Sequence, residues 1–128
     1  MQPQIEFSNI VKSQIASLGL TGWNGLAAIP TSGGIGMEFI AGYNSDIFPN
    51  KQADKIIPIL FQSKKKTQQE AMSDLYTIGN YLQGLKEYPN GTTFIYNNAE
   101  VSTEPVFIEK DTNGYYLYSC VIDFKIYF

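Results

Sequence analysis

The sequence predicts an α+β fold in which one twisted, mostly antiparallel β-sheet packs against two α-helices. Two segments repeat apolar residues at the three- and four-residue spacing of an amphipathic helix, and the last third of the chain alternates apolar and polar residues as strands do. The chain has 128 residues, of which 44% are hydrophobic and 16% are charged. Length and composition together predict that residues 1–128 form a single domain.

The first helix is predicted from Ile5 to Leu18. Its apolar stripe consists of Phe7, Val11, Ile15 and Leu18, at spacings of four, four and three. Gly19 follows at the position where a left-handed residue commonly ends a helix.

Next, two short apolar runs, 26–30 and 35–41, flank Thr31-Ser32-Gly33-Gly34 and predict a β-hairpin. The glycines also resemble a phosphate-binding loop, but no helix with a Lys-Ser/Thr pair follows, which favours the hairpin turn.

The middle of the chain predicts a loop and then a central strand. Residues 43–53 are rich in turn-forming side chains and are predicted to be a loop that exposes Ile47 and Phe48. The dense apolar run 55–63 predicts a strand buried on both faces. Pro58 conflicts with a central position because it cannot donate a ladder hydrogen bond, so we expect a bulge or a local edge there.

The second helix is predicted from Thr67 to Leu85. Thr67 and Glu70 match a capping box, in which each side chain accepts a hydrogen bond from a free backbone amide. The apolar stripe is Ala71, Leu75, Ile78, Leu82 and Leu85, and Gly79 within it indicates close packing on a sheet.

The C-terminal third predicts antiparallel strands. Two short strands, 92–96 and 106–108, are separated by a polar stretch, and Asp111-Thr112-Asn113-Gly114 is typical of a tight turn. The segment 115–128 then alternates regularly, so that one face is predicted to be buried and the other amphipathic. Cys120 lies on the apolar face and is predicted to be a structural core residue.

Several classes of chemistry are disfavoured by composition. The chain has no histidine, all nine basic residues are lysines, and Cys120 is the single cysteine. Histidine-based catalysis, imidazole or multi-cysteine metal sites and arginine clamps are therefore excluded. The sequence predicts no enzyme activity, no catalytic or metal-binding residues and no cofactor. It also predicts no signal peptide and no membrane partner, because neither a basic N-terminal region nor a long apolar run is present.

Five residues are candidates for interaction with partners. Ile47 and Phe48 are large apolar residues in a polar segment, and Lys64, Lys65 and Lys66 form the one charge run of the chain. The lysines could meet an acidic surface or phosphate, or could form a solvated strand end before the helix. The nine tyrosines and eight phenylalanines are compatible with a partner chain, since aromatic residues are enriched at interface cores, and equally with packing inside the domain's own core.

The order of elements resembles the minor capsid or tail-terminator proteins of long-tailed bacteriophages and prophages. The resemblance rests on the helix 5–18, the glycine-rich segment, the stretch DKIIPILFQSKKKTQQEAMSDLYTIGNYLQGL and the closing strand YYLYSCVIDFKIYF. It implies a homo-oligomeric ring, commonly a hexamer, that caps the tail tube and joins it to the head–tail connector. It also implies a virion protein made in the bacterial host cytoplasm, with DNA passing through the ring without specific binding.

Three functions compete at this point. A structural assembly protein, either a tail terminator or another neck or tail-tube subunit, would form closed oligomers that use sheet edges. A small monomeric binding module of the immunity or inhibitor kind would also suit the acidic composition, with a formal net charge of −3. An enzyme would depend on carboxylates, lysine or tyrosine, and no spacing in the sequence supports one.

Overall fold

The computed structural model describes residues 3–25, 33–39, 44–47, 53–85, 87–91 and 94–127. The elements in chain order are α1 (Pro3–Ala16), β1 (Gly34–Phe39), β2 (Asn44–Ile47), β3 (Ala53–Lys65), α2 (Gln68–Gln83), β4 (Ile95–Lys110) and β5 (Tyr116–Tyr127). The predicted α+β class is confirmed: the named strands form one antiparallel sheet, and two helices accompany it. The proposed hairpin partner 26–30 lies outside the described residues.

Strands β3 and β5 form the centre of the sheet. They pair in antiparallel register along nearly their whole length, with Ile59 opposite Ile122. β4 pairs with the other side of β5 and forms one edge, whereas β1 and β2 both pair with β3 and share the opposite side. The apolar run 55–63 therefore forms a central strand, as its lack of polar alternation predicts.

Pro58 occupies a local edge within this central strand. β1 pairs with residues 59–64 of β3, and β2 pairs with residues 53–56. Among the described residues, no strand pairs with Pro58 on that side, while on the other side it lies opposite Asp123 of β5. In the described residues, Pro58 therefore lies between the parts of β3 that pair with β1 and with β2, in agreement with the expected local edge.

Both helices contribute to one hydrophobic core on a single face of the sheet. In α1, Phe7, Val11 and Ile15 are buried as predicted, and the Phe7 ring packs edge-on against Phe124 with centroids 5.2 Å apart. The α2 stripe and the inward residues of β5 complete this core: Ala71, Leu75, Ile78, Leu82, Tyr118, Cys120, Ile122, Phe124 and Ile126. Edge-to-face aromatic packing and apolar burial together hold the layers in place.

The ends of the helices follow the sequence signals. The Thr67 hydroxyl accepts a hydrogen bond from the Glu70 amide at 3.1 Å, which caps α2. α1 ends at Ala16, and Gly19 has a φ of +69°. A Cβ atom added to Gly79 of α2 would lie 3.0 Å from Val101 Cγ2 on β4, so the predicted close packing on the sheet is confirmed.

β4 is one long edge strand rather than two short ones. The prediction of separate strands with a polar segment between them is wrong, because residues 95–110 pair continuously with β5. β4 uses sixteen residues to span twelve residues of β5, and the difference is absorbed at four register shifts. Its polar residues remain compatible with a strand because most of them are exposed at the sheet edge.

In the described part of the chain, neither helix is long and apolar enough to cross a bilayer.

Candidate functional site

Lys64 is already paired within its own chain. Its Nζ atom lies 2.8 Å from Asp111 Oδ2 in the turn between β4 and β5, and both side chains are largely shielded from solvent. Asp111 Oδ1 also accepts hydrogen bonds from the amides of Asn113 and Tyr115, each at 2.9 Å. The hydrogen bond from Lys64, followed by those from the backbone, lowers the pKa of Asp111 below its usual value. The ammonium of Lys64 therefore holds the turn against the end of β3.

Lys65 is engaged in a second internal network. Its Nζ lies 3.0 Å from Asp74 Oδ2 on α2 and donates to the Thr21 carbonyl at 2.7 Å. Ser63 donates to the same carboxylate oxygen at 3.0 Å. This network ties the end of β3 to α2 and to the segment after α1. Binding of an external anion here would have to compete with Asp74.

Lys66 is the exposed member of the run. Its Nζ lies 4.7 Å from the centroid of the Tyr115 ring, a distance that suits a cation–π contact. The glycines at the start of β1 lie against the backbone of β3. A Cβ atom added to Gly33 would lie 2.7 Å from the carbonyl oxygen of Lys64. Gly34 begins strand β1, so no helix follows the glycines as a phosphate loop requires.

The other sequence candidates fall around β2. Residues 43–53 were expected to form a loop, but Asn44–Ile47 is a strand that pairs with β3, with Ile47 opposite Ala53. The loop assignment is therefore wrong for residues 44–47, since backbone pairing with the start of β3 outweighs their weak strand propensity. Ile47 ends β2, and Phe48 lies outside the described residues, so the two are not shown to form one site with the lysines.

An apolar surface that the sequence analysis did not select lies on the edge strand β4. Val106, Phe107 and Ile108 are consecutive and are 44%, 51% and 49% exposed, respectively. Phe107 contacts Tyr118 with ring centroids 5.6 Å apart, while Val106 lies opposite Ser119. We call these three residues the β4 patch. Because neighbouring residues of a strand point to opposite faces, Phe107 lies on the Tyr118 face and Val106 on the Ser119 face, so the patch lies around the free edge of β4. Exposed apolar residues that cluster at an edge, rather than occurring singly, mark interaction surfaces.

Sequence periodicity did not distinguish this patch from core. A short apolar run flanked by polar residues is typical of a buried strand, and exposure depends on where the strand lies in the sheet. The one local signal was Pro105 directly before the run, because proline within a strand favours an edge position. Glu104 and Glu109 flank the patch and are exposed, and the exposed Lys110 follows Glu109.

Cys120 is not placed for nucleophilic chemistry. It is buried in the core between the sheet and the helices, and burial raises the pKa of its thiol to about 12, with Glu104 acting in the same direction. A thiol is a nucleophile only as the thiolate, so Cys120 is protonated and inert near neutral pH. Within the described ranges, no three carboxylate or cysteine side chains are grouped so that they could hold a metal ion.

No protein-family model matches this chain, and no curated protein sequence is significantly similar to it. The resemblance to phage tail-terminator proteins therefore stays a prediction.

Proposed function

We propose that this chain is a structural subunit that assembles with copies of itself, and that the assembly is a phage tail terminator. The single observation that carries the assembly proposal is the β4 patch, with three consecutive apolar side chains about half exposed on an edge strand. Burial of such a surface against a neighbouring subunit is favourable, because it removes apolar area from water. The terminator role and the number of six subunits come from the sequence resemblance.

The form of β4 favours contact through side chains over addition of a continuous strand. An unpaired strand edge can extend a sheet into another chain. Here the four register shifts and Pro105 interrupt the regular spacing of backbone donors and acceptors along that edge. A neighbour that packs on the β4 patch needs no such spacing. A head-to-tail contact of this kind closes into a ring when its rotation permits.

The charge distribution is compatible with DNA passing through such a ring. The net charge is −3 per subunit, and Lys64 and Lys65 are neutralised by Asp111 and Asp74. Phosphate binding depends on basic side chains that release counterions. We expect a lumen formed by this acidic chain to let DNA slide, provided that the exposed Lys66, Lys110 and Lys125 do not line it.

A monomeric binding module is the second candidate. The acidic residues Glu104 and Glu109 beside the β4 patch would suit a partner with an apolar centre and a basic rim. A binding module of this kind would remain monomeric and would form a one-to-one complex.

A neck or tail-tube subunit is the third candidate and differs from a terminator in where it attaches and whether it stacks.

Electron microscopy of the purified chain with the tail tubes of the phage or prophage that carries its gene tests the proposal. We expect a ring that caps one end of each tube and halts its growth. Stacked rings that extend the tube would indicate a tube subunit. Decoration along the tube wall, or no association, would contradict the terminator role, while sedimentation of a concentrated sample separates assembly from a monomer.

A further inference from the structure

Three asparagines of this chain are directly followed by glycine: Asn24, Asn90 and Asn113. Asparagine is a thermolabile residue, and it reacts most readily before glycine because no side chain shields the next backbone nitrogen. That nitrogen can attack the asparagine side chain, so each pair is a candidate for spontaneous deamidation. The fold selects among the three, because ring closure requires the backbone around the pair to rotate.

Asn24 is held against the sheet. Its backbone N–H donates to the carbonyl of Ile35 on β1 at 3.1 Å. Gly25 after it is buried, and a Cβ atom added there would lie 3.3 Å from the Trp23 ring and 3.4 Å from the Lys12 side chain. Rotation at this pair would have to break the contact with β1 and displace packed side chains.

Asn90 is fixed next to the hydrophobic core. Its Oδ1 atom accepts a hydrogen bond from the Tyr96 amide on β4 at 3.0 Å. Gly91 lies directly against Glu6 and the ring of Phe94, which leave no room for a Cβ atom. Because Phe94 is itself a buried core residue, movement of this pair would disturb the core.

Asn113 lies in the turn between β4 and β5. Its side chain is exposed, and no hydrogen bond to that side chain is present among the described residues. A Cβ atom added to Gly114 would have no atom beyond its chain neighbours within 4 Å. The pair is held by hydrogen bonds within the turn: the Gly114 amide donates to the Asp111 carbonyl at 3.1 Å, and the Asn113 amide donates to Asp111 Oδ1 at 2.9 Å. Bonds in an exposed turn open at much lower free energy than those next to a core.

We infer that Asn113 is the one of these three residues that deamidates in the folded chain. The Gly114 backbone nitrogen loses its proton to hydroxide and attacks Cγ of Asn113. The new N–Cγ bond forms as the Cγ–Nδ2 bond breaks, and the side-chain nitrogen takes a proton from water and leaves as ammonia. Water then opens the succinimide ring at either carbonyl, which leaves aspartate or isoaspartate. The modification places a second negative charge beside Asp111, and it does not depend on the proposed assembly.

Incubation of the full-length chain in mildly alkaline buffer, followed by peptide mass spectrometry, tests the inference. Cleavage after lysine places the three sites on separate peptides, 13–51, 87–110 and 111–125, and fragmentation assigns the modified residue. We expect Asn113 to deamidate about tenfold faster than Asn24 or Asn90, because the turn opens at lower free energy. In the urea-unfolded chain all three should react at similar rates, since each is followed by glycine.

Asp111→Ala and Asp111→Asn form a matched pair of variants. Alanine removes the acceptor for the amides of Asn113 and Tyr115, whereas asparagine retains an Oδ1 acceptor. We expect Asp111→Ala to accelerate the deamidation of Asn113 severalfold and Asp111→Asn to change it less, with Asn90 unaffected by either. If Asp111→Ala does not fold, the ratio of the three rates in the native chain still decides the question.

Three results would overturn the inference. Equal rates at the three sites of the native chain would show that the fold does not select among them. Faster reaction at Asn24 or Asn90 would place the site elsewhere. Reaction of Asn113 in urea but not in the native chain would show that the turn holds the Gly114 nitrogen away from the Asn113 side chain.

Discussion

Lys64 Nζ and Asp111 Oδ2 lie 2.8 Å apart and join the end of β3 to the turn between β4 and β5. The same carboxylate holds that turn through the amides of Asn113 and Tyr115, so one side chain fixes both the turn and its attachment to the sheet. These bonds favour the ionised carboxylate and lower its pKa in the folded chain.

Asp111→Asn is expected to reduce stability in a pH-dependent way. Because the pKa of Asp111 is lowered on folding, its ion pair contributes stability above the unfolded pKa of about 4, and the contribution is lost as pH falls through the folded value. The difference in unfolding free energy between the native chain and the variant should be largest near pH 6 and shrink below pH 4. Asparagine retains the Oδ1 acceptor, so the turn is preserved.

Urea unfolding at a series of pH values measures this difference. Lys64→Met provides the matched control, because it removes the other partner of the same ion pair. In the Lys64→Met background, Asp111→Asn should change stability less than it does in the native chain. A difference that stays constant from pH 7 to pH 3 would show that the ion pair does not stabilise the fold.

Local periodicity was sufficient to predict the layers of this fold. The stripes of α1 and α2 and the alternating pattern of β5 mark positions that are buried, because each element presents one face to the same core. Leu18 and Leu85, at the ends of the two helix stripes, are only half-buried. The roles of Thr67 and Gly79 were also predictable from the sequence. Helix capping by Thr67 depends on a residue three positions away, and close packing at Gly79 depends on the absence of a side chain. These are short-range signals.

The interaction surface could not be predicted in the same way. Lys64 and Lys65 were candidates for a partner, but Asp111 and Asp74, which pair with them, are separated from them in sequence and are brought close by sheet register and by α2. β2 was missed because polar residues have weak strand propensity and its pairing with β3 is non-local. Exposure of the β4 patch follows from the position of β4 at an edge, which periodicity does not encode.

Cys120→Ser is expected to lower stability without affecting assembly. The thiol lies in the core, and a serine hydroxyl there would lose hydrogen bonds to water, at a cost of about 1–3 kcal/mol. Chemical denaturation measures the loss, and sedimentation of the variant measures assembly. In the native chain, a thiol reagent should react with Cys120 only as fast as the fold opens. Loss of assembly in a fully folded variant would contradict a structural role.

Gly79 and Val101 are expected to be coupled in stability. A Cβ at position 79 would lie 3.0 Å from Val101 Cγ2, closer than ordinary packing allows. Gly79→Ala should therefore destabilise the native chain but stabilise a Val101→Ala background, where the intrinsic preference of alanine for helix, about 1 kcal/mol, is no longer opposed. A double-mutant cycle measured by thermal unfolding tests this change of sign. The same sign in both backgrounds would mean that the Val101 side chain does not oppose the added Cβ.

Phe107→Ser is expected to leave the subunit folded and to weaken assembly. Phe107 is half exposed and its main aromatic contact is Tyr118, so its removal leaves the core intact. Ile95→Ser is the matched control, because Ile95 is an exposed apolar residue at the other end of the same strand. Sedimentation should show smaller assemblies for Phe107→Ser and unchanged ones for Ile95→Ser. Equal behaviour of the two variants would remove the β4 patch from the interface.

Phe48→Ser is predicted to behave like Phe107→Ser, since Phe48 was selected as a contact outside its own subunit. Phe48 follows β2, which pairs with the start of β3, whereas Phe107 lies on the opposite edge near the end of β3. A head-to-tail contact joins two different surfaces, one from each subunit. If these two regions form that contact, each variant alone has one defective surface and should remain small.

An equimolar mixture of the two variants tests this arrangement most sharply. A Phe48→Ser subunit keeps an intact β4 patch, and a Phe107→Ser subunit keeps an intact Phe48 region, so one sound interface can form between them. The chain of contacts then stops, because both remaining surfaces of the pair are defective. Sedimentation equilibrium of the mixture should show dimers, whereas each variant alone should show monomers. Dimers of each variant alone would mean that the two residues belong to separate, self-pairing contacts, and rings in the mixture would mean that neither residue is needed for assembly. Unfolding of Phe48→Ser would make Phe48 a core residue.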